Sequence, residues 1–162
     1  MRIEWWKIDR VRPYENNPRH NNAGIDAVAA SIQQFGWRQP IVVDETGTII
    51  VGHVRWKAAK KLGLEKVPVH VAKGLTETQV RAYRLADNRT AALSSWNYDL
   101  LPIELKSLQG TDVDLNDLGF STDELARLIE GFDSLEDEPQ PDRPPEKLIR
   151  CPKCGHEFAW RQ

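Results

Sequence analysis

Apolar and polar positions alternate from Ile3 to Ile8, the period of a strand with one buried face. Pro13, Asn16, Asn17 and Pro18 then mark a loop. Ile25, Val28, Ala29, Ile32 and Phe35 recur at helical spacing and predict a helix with one buried stripe, which Gly36 ends. Two β-branched runs, Pro40–Val43 and Thr48–Val51, flank the turn residues Asp44-Glu45-Thr46-Gly47 and predict a hairpin. Gly52 breaks the second run. Trp56, Ala59 and Leu62 then mark one face of a helix that Gly63 stops, and Val67–Val71 is a further strand. Thr76 to about Ala86 reads as a helix that opens on a Thr76/Gln79 capping box. Tyr98–Leu108, with Pro102 in its opening turn, and Thr122–Ile129 are two more helices.

Strand, helix, hairpin, helix and strand in that order predict a small α+β domain with a mixed sheet over residues 1–92. A helical extension follows over 93–132, then an acidic, proline-rich linker over 133–148 whose composition predicts disorder. A tail over 149–162 carries Cys151-Pro152-Lys153-Cys154. With 162 residues, the chain has room for one compact domain and a short appendage.

Composition adds exclusions. Hydrophobic residues make up 40% and charged residues 28%, and no apolar run approaches the ~20 residues a membrane helix needs, so no membrane association is expected. The first twelve residues lack the apolar core of a secretory signal. Two cysteines in one CxxC cannot build a disulfide framework, and a cytoplasmic, reducing setting is expected. The net charge of -2 hides a split. Residues 1–92 hold 15 Lys and Arg against 9 Asp and Glu, whereas residues 93–162 hold 7 against 15. The first part would attract a polyanion or a nucleotide and the second would repel one.

The candidate chemistry begins at Gly52. A strand, a glycine and a helix start in succession leave backbone N–H groups pointing outward, and the helix dipole favours negative charge there. Glycine permits close approach, and Arg55, one turn in, can fork onto a phosphate. Neither the P-loop nor the dinucleotide fingerprint occurs. The alternative is a glycine used for packing alone.

Asn17-Pro18-Arg19, Ser31-Ile32 through Gly36, Gln39-Pro40-Ile41-Val42-Val43, Gly52-His53-Val54-Arg55-Trp56-Lys57-Ala58-Ala59 and Val67-Pro68-Val69 follow one another in the order of the ParB/sulfiredoxin superfamily. The chain resembles the ParB N-terminal type, the "ParB-like nuclease domain". It is most similar to a subgroup of phages and mobile elements often fused to, or encoded beside, DNA methyltransferases. Leu85-Ala86-Asp87-Asn88-Arg89-Thr90 and Trp96-Asn97-Tyr98-Asp99 resemble that subgroup's later motifs. The resemblance spans roughly residues 3 to 130 and implies a ParB/sulfiredoxin-like fold.

It also implies a ligand. ParB proteins bind CTP, sulfiredoxins bind ATP, and related members phosphorylate small molecules. In ParB the glycine turn reads Gly-Glu-Arg-Arg and touches the triphosphate; here Gly52 and Arg55 match and the middle pair does not, which counts against hydrolysis. His53 stands where sulfiredoxin has its cysteine, which counts against sulfinic-acid reduction. Asp87-Asn88-Arg89 resembles a shortened form of the ParB segment that helps hold phosphate and Mg²⁺, so Asn88 and Arg89 join the candidate cofactor-binding residues. Asp87 and Asn88 are oxygen donors suited to Mg²⁺; the alternative for Asn88 is a residue that caps or ends a helix.

His53 can contact a phosphate, serve structurally against Trp56 or Trp37, or act as a general base, in that order of preference. His53 and Asp87 are therefore the candidate catalytic residues. Arg19 and His20 lie in the upstream loop and could close over the site, and Arg38 and Gln39 could add base or phosphate contacts. Lys57, Lys60 and Lys61 fit a solvated helix face.

Full ParB proteins continue into a helix-turn-helix module, but the acidic stretch Leu93–Gly131 shows no such module to sequence inspection. DNA contact would come from the basic first part or through a partner, such as a DNA methyltransferase. Cys151 and Cys154 resemble half of a zinc ribbon. Zinc needs two further ligands, and two chains sharing one ion would make a homodimer. The leading expectation is a nucleotide-binding protein, taking CTP or ATP with Mg²⁺, in the DNA metabolism of a phage or mobile element. The alternatives are a small NTP-dependent kinase or nuclease on the same fold, or a structural adaptor dimerised through zinc.

Overall fold

The computed structural model describes residues 1–19, 22–137, 148–150 and 157–159. Four strands form one sheet in the order β1-β4-β2-β3: β1 Glu4–Lys7, β2 Ile41–Val43, β3 Ile49–Val51 and β4 Lys66–Val71. β1 and β3 run antiparallel to their neighbours, while β2 and β4 are parallel. Parallel strands need a crossover connection, and here the β3 hairpin and helix α2, His53–Lys61, supply it. The α+β class and mixed sheet expected from the element order are both present.

Register explains the core. Trp6 faces Val67 and Glu4 faces Val69 across β1 and β4, and Ile41 and Val43 of β2 face Val69 and Val71. These positions share one face of the sheet. Trp6, Ile41, Val43, Val67 and Val69 are accordingly buried there, with Ile8, Val11, Ile49 and Ala59.

The hairpin turn is set by Asp44. Its carboxylate accepts hydrogen bonds from the backbone N–H groups of Thr46 and Thr48 and from the Thr46 hydroxyl. Partial burial pushes this carboxyl up, and those hydrogen bonds outweigh the push, so Asp44 stays below the usual carboxylate range.

Helix α1, Ile25–Phe35, has the expected span, and Gly36 closes it at φ 71°. Its stripe is only partly covered: Ala29 is buried, whereas Phe35 stays 40% exposed. α1 packs along α2, and Lys61 pairs with Asp26 between them. Lys57 donates to Asn22 and Lys60 lies over the Trp56 ring, so these lysines dress the helix surface.

Helix α3, Glu77–Ala91, begins with the capping box between Thr76 and Gln79 and runs a turn past the expected end. Asp87, Asn88 and Arg89 therefore lie inside a helix, and Asn88 does not end it. The Asn88 amide N–H₂ donates back to the Arg84 carbonyl at 2.8 Å.

A second cluster follows. Helix α4, Leu101–Leu108, and helix α5, Thr122–Asp137, bury Leu101, Leu105, Leu125 and Ile129 against each other. A 3-10 turn at Leu115–Leu118 joins them, capped by the Asp114 carboxylate, and packs on α1. α5 continues eight residues past Ile129, into the stretch whose composition suggested a linker from residue 133. An isolated hairpin pairs β5, Leu148–Arg150, with β6, Glu157–Ala159. Cys151 and Cys154, and with them the zinc-knuckle expectation, lie outside the described residues, as does His20. Among the described residues no helix is long and apolar enough to cross a membrane, and no three metal-ligating side chains cluster.

Candidate functional site: a glycine turn at a helix N-terminus

β3 ends at Val51, and Gly52 turns the chain into α2 with φ 105° and ψ 25°. That left-handed conformation is open to glycine at little cost. A Cβ here would also stand 3.4 Å from the Ile41 Cα in the neighbouring strand. The Trp56 N–H bonds to the Gly52 carbonyl, closing the first helical turn. The N–H groups of His53, Val54 and Arg55 come before any intrahelical acceptor and point out of the helix start.

A cavity of about 370 Å³ opens at this turn. Gly52, His53, Val54 and Arg55 form one wall, Gly24 and Val28 of the α1 region another, and Arg19, Asp87 and Asn88 a third. Six of the residues singled out in the sequence thus meet: Arg19, Gly52, His53, Arg55, Asp87 and Asn88. Gln39 reaches the site indirectly, because its amide oxygen accepts from the Arg55 guanidinium. Arg89 is exposed and does not line the cavity. Arg38 turns away and donates from Nε to the Phe35 carbonyl at 2.6 Å.

Arg19 bridges the loop and the helix. Its Nη1 donates to the Asn88 carbonyl and to the Asn88 Oδ1, both at 3.1 Å. Arg55 is half-buried; burial lowers its pKa and the Asp87 carboxylate opposes that shift. Two guanidiniums, a set of free amides and a helix N-terminus face one carboxylate here. Such a cradle suits an anion.

His53 is buried, with 8% of its surface exposed. The Tyr14 backbone N–H donates to its Nε2 at 3.2 Å. Desolvation, with Arg84 and Lys57 nearby, pushes its pKa down to about 4. At neutral pH the ring is therefore uncharged, with its lone pair at Nε2 and its proton on Nδ1. Its hydrogen-bond partner is the Tyr14 backbone.

Tyr14 and Arg84 were not among the sequence candidates. The Arg12 N–H bonds to the Gly47 carbonyl and the Ile49 N–H to the Arg12 carbonyl, which lays the Pro13 loop along β3 and carries Tyr14 over His53. Arg84 is 3% exposed. Its Nε and Nη2 both donate to the Ile49 carbonyl at 3.2 Å, and its guanidinium lies 3.7 Å from the Tyr14 ring centroid. The available signal was spacing: Val80, Arg84, Asp87 and Asn88 lie at i, i+4, i+7 and i+8, the single stripe by which α3 faces the domain. An arginine in such a stripe reads as surface until its partner carbonyl is known.

The oxygen donors allow a partial fit to Mg²⁺. Asp87 and Asn88 are adjacent on a helix, about 100° apart around its axis, and the Asn88 oxygen already accepts from Arg19. Asp87 is the better placed of the two, since Mg²⁺ is commonly held by one or two carboxylates together with phosphate oxygens.

A four-stranded mixed sheet whose glycine turn feeds a helix N-terminus defines an α+β domain built around an anion cradle. Residues 2–89, more than half of the chain, match the ParB N-terminal domain model, and the chain belongs to that family. Residues 99–151 match the ParB-methyltransferase HTH domain model, which overturns the expectation that no helix-turn-helix module follows. That expectation rested on charge. The module shows in the backbone instead, as α4, a connection that carries the Leu115–Leu118 3-10 turn, and α5 around a shared apolar core.

The ParB-like nuclease domain-containing protein YnaK of Escherichia coli K12 is 40% identical over 80 residues, spanning 49% of this chain and 92% of that protein. The probable plasmid-partitioning protein ParB of Deinococcus radiodurans is 36% identical over 87 residues. That match spans 51% of this chain but only 30% of the relative. The crystal structure of a C-terminally truncated chromosome-partitioning protein ParB from Caulobacter crescentus, complexed with CTP-γ-S, superposes with a TM-score of 0.66 at 21% identity. It covers 82% of this chain and 79% of that one, and shows a shared fold reaching beyond the sheet domain.

Proposed function

We propose that the chain is a nucleotide-binding protein that takes CTP or ATP at the Gly52 turn and acts in DNA metabolism, with a DNA methyltransferase as a candidate partner. The observation that carries this reading is the convergence of Arg19, Gly52, Arg55 and Asp87 on one cavity at a helix N-terminus. The Gly52 turn and the first amides of α2 would hold phosphate oxygens, with Arg55 and Arg19 forked onto them. Asp87 would hold Mg²⁺ together with those phosphates. Asn88 would serve by holding Arg19 in place, and Gln39 by steering Arg55. The complex of the Caulobacter ParB with CTP-γ-S supports a nucleotide as the ligand class.

His53 supports binding over catalysis. A general base needs a free lone pair, and the lone pair on Nε2 is occupied by the Tyr14 N–H. The Nδ1 proton instead makes His53 a neutral donor to a phosphate oxygen. The domain division at 92, a setting in a phage or mobile element, and zinc held by Cys151 and Cys154 are part of the proposal, with the helical extension taken to Asp137 in place of 132 because α5 runs that far.

Calorimetric titration with CTP, ATP and GTP, with and without Mg²⁺, tests the reading. Binding of CTP or ATP that weakens at least about tenfold in Arg55→Ala is expected, because a charge-assisted bidentate contact is lost. No binding of any nucleotide, or unchanged binding in Arg55→Ala, would refute it.

A further inference from the structure

The stretch from Ala92 to Leu100, which joins α3 to α4, is exposed at every position, and it sets Leu93, Trp96, Tyr98 and Leu100 among Ser94, Ser95, Asn97 and Asp99. Leu93 is 66% exposed, Trp96 60%, Tyr98 66% and Leu100 59%, and Ile103, one turn into α4, is 48% exposed. Leu100 and Ile103 sit at i and i+3, on one side of the helix. Trp96 is steadied by the Phe120 ring at 5.7 Å, and the Asn97 carboxamide oxygen accepts from the N–H groups of Asp99 and Leu100. The run is therefore held in shape, and among the described residues nothing covers it. Exposed aromatic and aliphatic side chains grouped in this way mark interaction surfaces.

Charge says what kind of surface would cover it. Residues 99–137 hold eleven Asp and Glu against two Lys and Arg. Asp123 and Glu124 are exposed in the first turn of α5, the part of a DNA-reading helix that would enter the groove between the phosphate strands. Phosphate neutralisation supplies much of the affinity for DNA, and this lobe would add repulsion in its place. A helix-turn-helix backbone is thus combined with a surface unsuited to DNA and an apolar centre unsuited to water.

We propose that the α4–α5 lobe is a protein-docking module whose occupant is a basic, apolar-centred helical face of a partner protein. Leu93, Trp96, Tyr98, Leu100 and Ile103 are the anchors, and the lobe's carboxylates set the partner's sign and orientation. This surface is distinct from the Gly52 cavity, and the inference stands or falls independently of nucleotide binding.

The test uses the full ¹⁵N-labelled chain and three probes. The first is a helical peptide with Lys on one face and Leu on the other. The second has the same Lys residues but Ala in place of Leu, and the third is a 20-base-pair DNA duplex. The Lys/Leu peptide is expected to shift amide resonances over 93–130 and to bind at least about tenfold more tightly than the Lys/Ala peptide. Tyr98→Ala/Ile103→Ala, whose side chains are exposed and outside the α4–α5 core, should lose that tenfold preference while its unfolding temperature holds. Asp123→Lys should weaken both peptides, more at low salt than at high. Equal binding of the two peptides, an unchanged preference in Tyr98→Ala/Ile103→Ala, or shifts along α5 on adding DNA would each overturn the proposal.

Discussion

Arg84 offers the sharpest check on how the site is held. Replacing it with Met keeps much of the aliphatic stem and removes the guanidinium. Two donors to the Ile49 carbonyl at 3.2 Å are lost, together with the stacking on Tyr14 at 3.7 Å. A hydrogen bond from a charged group contributes about 1.5–3 kcal/mol, and two donors sharing one acceptor count nearer to one. A desolvated cation–π contact adds about 1–2 kcal/mol. Relief from burying a charge offsets part of the sum, because desolvation already lowers the Arg84 pKa. The expected net loss is about 2–3 kcal/mol, or roughly 5–10 °C in Tm for a chain of this size.

Thermal and urea unfolding of Arg84→Met and Arg84→Lys beside the parent chain would measure it. Lys cannot both fork and stack, so it should recover less than half of the loss. Nucleotide affinity should fall as well, since Ile49 lies three residues before Gly52 and Tyr14 partners His53. An Arg84→Met chain that melts within about 1 °C of the parent would refute the reasoning, as would full recovery with Lys.

His53 gives a pH signature. Its folded pKa of about 4 lies below the ordinary 6.5, so between those values the unfolded chain binds more protons and stability falls as pH falls. About 3 kcal/mol should be lost across that window in the parent and absent in His53→Gln; equal slopes of unfolding free energy against pH would contradict this. Gly52→Ala should cost about 1–3 kcal/mol of stability from its left-handed φ, read by urea unfolding, and should also weaken nucleotide binding. Arg19→Ala removes an exposed side chain that lines the cavity, so calorimetry should show nucleotide affinity falling about tenfold while stability changes by less than about 1 kcal/mol. Thr76→Ala should lower stability by about 1 kcal/mol through loss of the capping box, with nucleotide binding untouched, and a change in affinity would show that α3 is coupled to the site.

Local rules determined much of the molecule. The β1 alternation, the Asp44 turn, the Gly36 and Gly63 stops and the Thr76 capping box each depend on residues a few positions apart, and each formed as their chemistry requires. The glycine turn was legible for the same reason, since a strand, a glycine and a helix start are contiguous. The helix-turn-helix lobe was missed because its charge was weighed above its apolar spacing, although Leu101, Leu105, Leu125 and Ile129 lay in plain view. α5 runs into acidic sequence that composition alone marks as a linker.

Only the tertiary structure decided which side chains meet. Arg19 and Asn88 are 69 positions apart, Tyr14 and His53 39, and Arg84 and Ile49 35. No local pattern relates such pairs, because each contact exists only once β3, the Pro13 loop and α3 have packed together. That packing buries His53, sets its lone pair against a backbone N–H and makes it neutral. From sequence alone it was open among phosphate ligand, structural residue and base. A histidine's chemistry is set by its desolvation and its partners, and both of these come from parts of the chain far from it in sequence.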